Sequence, residues 1–143
     1  MLDRILLISN LSVTLIMFSA IWFVQLAYYP LLKFVGRKEF ARYETEYVKR
    51  IMPFAILMLL LELITGILLL WIRPVNVSFM QALVGLIFLA IIWTSTFYIQ
   101  LPLHKKLKRG FNKNTHNLLL KTNWIRTIAW TLRAFLMIWL ITR

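Results

Sequence analysis

The sequence predicts an all-α, polytopic membrane protein: a four-transmembrane-helix antiparallel bundle with a short amphipathic cytoplasmic helix. Three observations predict it. Of the 143 residues, 61 % are hydrophobic, too many for a soluble domain with a polar shell. The apolar residues gather into four runs, about 5–28, 51–72, 79–101 and 125–141, each near the roughly 20 residues with which a helix crosses a bilayer. Basic residues concentrate in two of the connections between those runs. Little chain remains outside them, so residues 1–143 are read as a single membrane domain.

The first run is longer than the roughly 7–15 residues of a signal-peptide core, and no small-x-small cleavage site follows it, so it is expected to be a retained helix. Between the first two runs, Phe40, Tyr43, Tyr47 and Ile51 recur at helical intervals while Arg42, Glu46, Lys49 and Arg50 can face water. This predicts a short helix, lying in the headgroup layer or extending the second span below it. Pro53 is compatible with either arrangement, because proline is tolerated in a first helical turn and in membrane helices. The segment Arg73-Pro74-Val75-Asn76 is turn-like and sets the second and third spans antiparallel.

Seventeen Lys and Arg stand against five acids. In a soluble chain that excess points to nucleic acid, but here its distribution follows topology. Lys33, Arg37, Lys38, Arg42, Lys49 and Arg50 follow the first span, and Lys105, Lys106, Lys108, Arg109, Lys113 and Lys121 follow the third. The positive-inside rule then predicts a cell-membrane protein with both long loops cytoplasmic and both termini outside. Membrane lipids are the expected partners, anionic headgroups at the basic loops included, and nucleic acid is not expected. A homo-oligomer is a further expectation, since Gly66 and Gly85 can bring the second and third spans together or seed dimerisation.

Cysteine is absent, which excludes disulfides, thiolate metal sites and nucleophilic-cysteine chemistry. His104 and His116 fall in the predicted loop, where they are expected to be solvated or interfacial, and their spacing suits neither a membrane haem nor a metal. No nucleotide, metalloprotease or serine-hydrolase motif occurs. No cofactor and no metal are therefore predicted.

At 100° per residue each span shows one polar or small face. Asn10, Thr14, Met17, Ile21, Gln25 and Tyr28 form the face of the first, and Glu62, Thr65 and Gly66 that of the second. Gln81, Gly85, Phe88, Ser95 and Thr96 form that of the third, and Arg126, Trp130, Arg133 and Met137 that of the fourth. Glu62 and Arg133 are both about 12–17 Å deep from the cytoplasmic side, so they can meet near the midplane. A bare charge in lipid is expensive, which makes such a pair either a packing device or the border of a site. In the second case Glu62 is a proton acceptor and Arg133 an anchor, with Asn10, Thr14, Gln25, Thr96, Arg126 and Trp130 as candidate ligand-binding residues. Arg126 is expected to snorkel or to pair with Glu44 or Glu46. Tyr28, Tyr29, Tyr98 and Trp124 read as interfacial anchors. The layer suits a quinone-like, aromatic or lipid-like molecule entering from the bilayer.

The run Thr96-Phe97-Tyr98-Ile99-Gln100-Leu101-Pro102-Leu103-His104-Lys105-Lys106-Leu107, with Asn123-Trp124-Ile125-Arg126 and Arg133-Ala134-Phe135-Leu136, resembles the anthrone oxygenase-like family of small four-span membrane proteins. The resemblance covers the C-terminal third. It implies a four-span fold and cofactor-independent oxidation of an activated aromatic ketone or phenol, with Glu62 as the only deep carboxylate to serve as base. Two other classes remain open on the residues alone. One is a non-enzymatic assembly or lipid-interacting subunit with a structural Glu62–Arg133 pair, and the other a small proton-coupled transporter.

Overall fold

The structure, a computed structural model, describes residues 1–142. It contains four helical rods long and apolar enough to span a membrane: α1 (Leu2–Phe34), α2 (Arg37–Leu68), α3 (Phe79–Leu107) and α4 (Lys113–Thr142). They form an all-helical bundle in which α4 is the most buried rod and α2 the least. Large apolar side chains such as Ile16, Phe23, Leu57, Ile64, Ile91 and Phe135 point outward. That inverts the pattern of a soluble protein and matches lipid as the solvent.

The rods extend beyond the expected spans at the basic end of the bundle. Of the two arrangements expected for residues 37–50, the structure has the second: they continue unbroken into α2, with Pro53 inside it. At 32 residues α2 is about 48 Å long, more than the roughly 30 Å hydrocarbon core. Its buried face there is Phe40, Glu44 and Val48, whereas Tyr43 is exposed. At its other end α2 stops at Leu68, short of the expected residue 72. The chain tightens into i→i−3 bonds from Leu70 and Trp71, the Arg73 guanidinium caps the Leu70 carbonyl, and Pro74 cannot continue a helix. The connection between α3 and α4 is only residues 108–112, turned by Gly110 at φ 134°, a conformation that glycine adopts without strain. Asn112 caps α4 by accepting from the Thr115 amide at 2.9 Å. Gln81, expected on the inward face of α3, instead closes a capping box with Ser78.

Two π-helical turns were not expected. One spans Val24–Tyr28 in α1 and the other Thr96–Gln100 in α3. Each lies two residues before a proline, Pro30 and Pro102. A proline removes its own i→i−4 hydrogen bond and crowds the carbonyl at i−4, here Leu26 and Tyr98, both inside the π turns. Widening the turn relieves that clash and advances the helical phase. In α1 the buried stripe therefore passes from Gln25 to Tyr29, not to Tyr28.

The interior alternates between apolar and polar layers. Leu7, Leu69, Val77, Met137 and Leu140 close the terminal end, Met17, Ile21, Leu59, Leu89, Ile92 and Trp130 fill the middle, and Tyr29, Leu32, Phe40, Leu103, Leu107 and Leu119 fill the basic end. One polar layer lies on each side of the middle cluster.

Candidate functional site

The first polar layer is centred on Glu62 and Arg133, which are 0 % and 1 % exposed. Arg133 Nε donates to Glu62 Oε1 at 2.8 Å, and Thr14 donates to the same oxygen at 2.7 Å. The indole of Trp130 donates to Oε2 at 3.1 Å. The remaining guanidinium nitrogens donate to the Gly85 carbonyl and, at 2.9 Å, to Asn10 Oδ1. Asn10 in turn donates to the Glu62 carbonyl at 3.0 Å and to Thr65 at 2.7 Å. All four helices contribute, and both oxygens of Glu62 and all three nitrogens of Arg133 have partners.

The two glycines serve this arrangement. A Cβ at Gly85 would stand 3.0 Å from an Arg133 nitrogen, and one at Gly66 would stand 3.5 Å from another and 3.1 Å from Leu86. Their missing side chains are the space that the guanidinium occupies, a use of small residues in membrane helices that spacing alone does not reveal. Beside the ion pair remains a void of about 10 Å³, the size of one water.

The second polar layer was only partly expected. Arg126 does not pair with Glu44 or Glu46. It donates to Asn123 at 3.0 Å, to Tyr29 at 3.2 Å, to Gln100 at 3.3 Å and, at 3.5 Å, to Thr96. His104 and His116, expected to be solvated, are 7 % and 4 % exposed. His104 Nδ1 contacts Glu44 Oε1, and its Nε2 lies 2.8 Å from the Tyr29 hydroxyl. His116 Nε2 donates to the Tyr29 carbonyl at 2.7 Å, satisfying a backbone group near the end of α1. Tyr29, expected as an interfacial anchor, is a buried junction instead. Tyr98 and Trp124 do reach the exposed surface.

Gln25 belongs to this layer as a support. It accepts from Asn123 at 2.7 Å and donates to the Leu120 carbonyl at 3.3 Å, tying α1 to α4.

Adjoining the second layer is a cleft of about 110 Å³. Its walls are Met17, Ile21, Val48, Met52, Ala55 and Leu101, with Phe54, 41 % exposed, reaching the lipid-facing surface. Its polar lining is Tyr29, Tyr47, Thr96, Gln100, His104 and Arg126, with Trp130 dividing it from the ion pair. Of the expected site residues, Thr96, Arg126 and Trp130 line this cleft. Asn10, Thr14, Glu62 and Arg133 meet one another outside it. The residues that sequence reasoning missed are Glu44, Tyr29 and His104. Among the described residues no cluster of His, Cys, Asp and Glu has the makings of a metal site. Geometrically, the cleft offers an apolar wall ending in a cation, an amide, a hydroxyl and an imidazole. That arrangement can orient a molecule with an apolar body and an oxygen-bearing head. No protein-family model, no curated protein and no solved structure matches the chain.

Proposed function

We propose that this integral membrane protein binds a small hydrophobic molecule within the bilayer, with its apolar body between α2 and the other helices and its polar head against Arg126, Gln100, Tyr29 and His104. The observation that carries the reading is the difference in free space: about 110 Å³ beside the second polar layer against about 10 Å³ beside the ion pair. On this reading Glu62 and Arg133 specify how the helices pack, and the ligand meets the second layer. The resemblance to anthrone oxygenase-like proteins implies turnover by a base such as Glu62. Glu62 is absent from the cleft lining, so the geometry supports binding and supplies no role for Glu62 as a base there. The basic end is assigned to the cytoplasm on the positive-inside rule.

The test is native mass spectrometry, with an absorption spectrum, on protein taken directly into native lipid nanodiscs. A retained non-lipid mass is expected. It should be lost when Ala55→Trp fills the cleft and kept in Phe135→Trp, which changes only a lipid-facing position. A clean protein mass, or a stoichiometric protein partner in its place, would give way to a structural or assembly role.

A further inference from the structure

The binding reading leaves the ligand's head group open, and the charges around the cleft narrow it. Arg126, partly buried, lines the cleft without a carboxylate partner, because the two buried acids are committed elsewhere: Glu62 to Arg133 and Glu44 to His104. Its own partners, Asn123, Tyr29, Gln100 and Thr96, are all neutral. Glu44 is 0 % exposed, yet its Oε2 has no hydrogen-bond partner.

The groups facing His104 are Glu44 and Tyr47 from α2 and Tyr29 from α1, with Tyr28 from α1 and Arg126 and His116 from α4 lying beyond Tyr29. With His104 neutral, Glu44 and Arg126 sum to zero. With His104 protonated the layer carries one excess positive charge, which one monoanion in the cleft would neutralise. The hydrogen bonds can accommodate both states. When His104 Nε2 is bare, the Tyr29 hydroxyl donates to it across 2.8 Å. When Nε2 carries a proton it donates to Tyr29, whose hydroxyl is then free to turn to Gln100 Oε1 at 3.4 Å.

We propose that the cleft binds a lipophilic carboxylic acid as its carboxylate on Arg126, together with one proton held by the Glu44–His104 pair. The planar guanidinium suits two carboxylate oxygens, and the open lipid-facing side lets a tail continue into the bilayer. For an acid arriving protonated, its O–H bond breaks, an N–H bond forms at His104 through Tyr29, and the electron pair stays on the carboxylate. For an acid already ionised, the same proton comes from water. Binding and protonation are then reciprocal, each favouring the other.

The test uses 4-pentylbenzoic acid and its neutral counterpart 4-pentylbenzamide with wild-type protein in nanodiscs. Titration calorimetry is run in two buffers of different ionisation heat, with empty nanodiscs as the blank. The acid is expected to bind at least about tenfold tighter than the amide, with net proton uptake on acid binding. Arg126→Gln should bring the acid down to the amide's level, and His104→Gln should abolish proton uptake. Equal affinity for acid and amide would overturn this inference while leaving the binding reading standing, as would acid binding with no proton uptake. Absence of saturable binding by either probe would overturn it too, and the retained-mass experiment then decides the broader reading separately. Should His104→Gln fail to fold, the two-buffer comparison on wild type carries the test unaided.

Discussion

Glu44 and Glu62 lie on one face of α2, about five helical turns apart, and both are wholly buried against a basic side chain. Around Glu62 both carboxylate oxygens and every guanidinium nitrogen of Arg133 are satisfied, glycines are shaped around the cation, and the remaining space suits one water. Around Glu44 one oxygen is bare, the histidine partner can gain or lose a proton, a neighbouring arginine lacks an anion, and a cleft opens alongside. A closed network rigidifies and specifies packing, whereas one with open valences is poised to bind. Burial and charge alone do not separate these cases. Satisfaction and free volume do.

Arg133→Gln should give the largest effect, because it strands the Glu62 carboxylate. A loss of roughly 3–5 kcal/mol is expected for removing one member of a buried pair, measured by reversible unfolding in bicelles. The Glu62→Gln/Arg133→Gln double variant should cost less than the sum of the singles, since neither charge is then left alone. Strict additivity would mean that the two groups are energetically independent, and the view of this layer as a unit would fail. Gly85→Ala comes next, at roughly 1–3 kcal/mol, because the added methyl meets the guanidinium at 3.0 Å and either the cation or the helices must shift. Gly36→Ala, with nothing within 4 Å, is the matched control. Equal tolerance at positions 36 and 85 would show that the arginine has room to spare.

The first layer was readable in the sequence and the second only in part, for a physical reason. A period of 3.6 residues holds along the regular parts of α1, α2 and α4, so phase counting brings Asn10, Thr14, Glu62 and Arg133 onto facing stripes. Past the π turns at Val24–Tyr28 and Thr96–Gln100 that period breaks, and the burial of Tyr29 cannot be obtained by counting from Asn10. Glu44 and His104 were hidden differently. They sit among lysines and arginines in segments whose polarity resembles loops, although both belong to rods that continue past the expected span ends. The available signal was the shared X-Pro position after an apolar run, at Tyr29-Pro30 and Leu101-Pro102, which marks disturbed helical phase.

Tyr29→Phe tests the second layer at lower energetic stake. It removes the hydroxyl between His104 and Arg126, and a loss of about 1 kcal/mol is expected, near the typical worth of one interhelical hydrogen bond in a membrane. That is well below the Arg133→Gln effect, because the cleft side of the layer can take in water or ligand to replace the lost group. A loss as large as that of Arg133→Gln would show that the second layer is as closed as the first and would remove the contrast between them.

The smallest effect is expected at Glu46, which pairs with Arg50 at 3.6 Å in the same helix as Glu44 and Glu62. The two side chains are 48 % and 82 % exposed, so each keeps most of its contact with solvent or headgroups when the pair breaks. An exposed i,i+4 pair contributes only about 0.3–0.5 kcal/mol, and Glu46→Gln should change stability by no more than that, with the residual effect fading as salt is raised. One helix thus carries three carboxylates against basic partners, and the predicted cost of removing a charge follows enclosure, not separation. A Glu46→Gln loss above about 1 kcal/mol, unchanged by salt, would mean that the basic end is buried by something besides this chain, because only desolvation gives a surface pair that much energy.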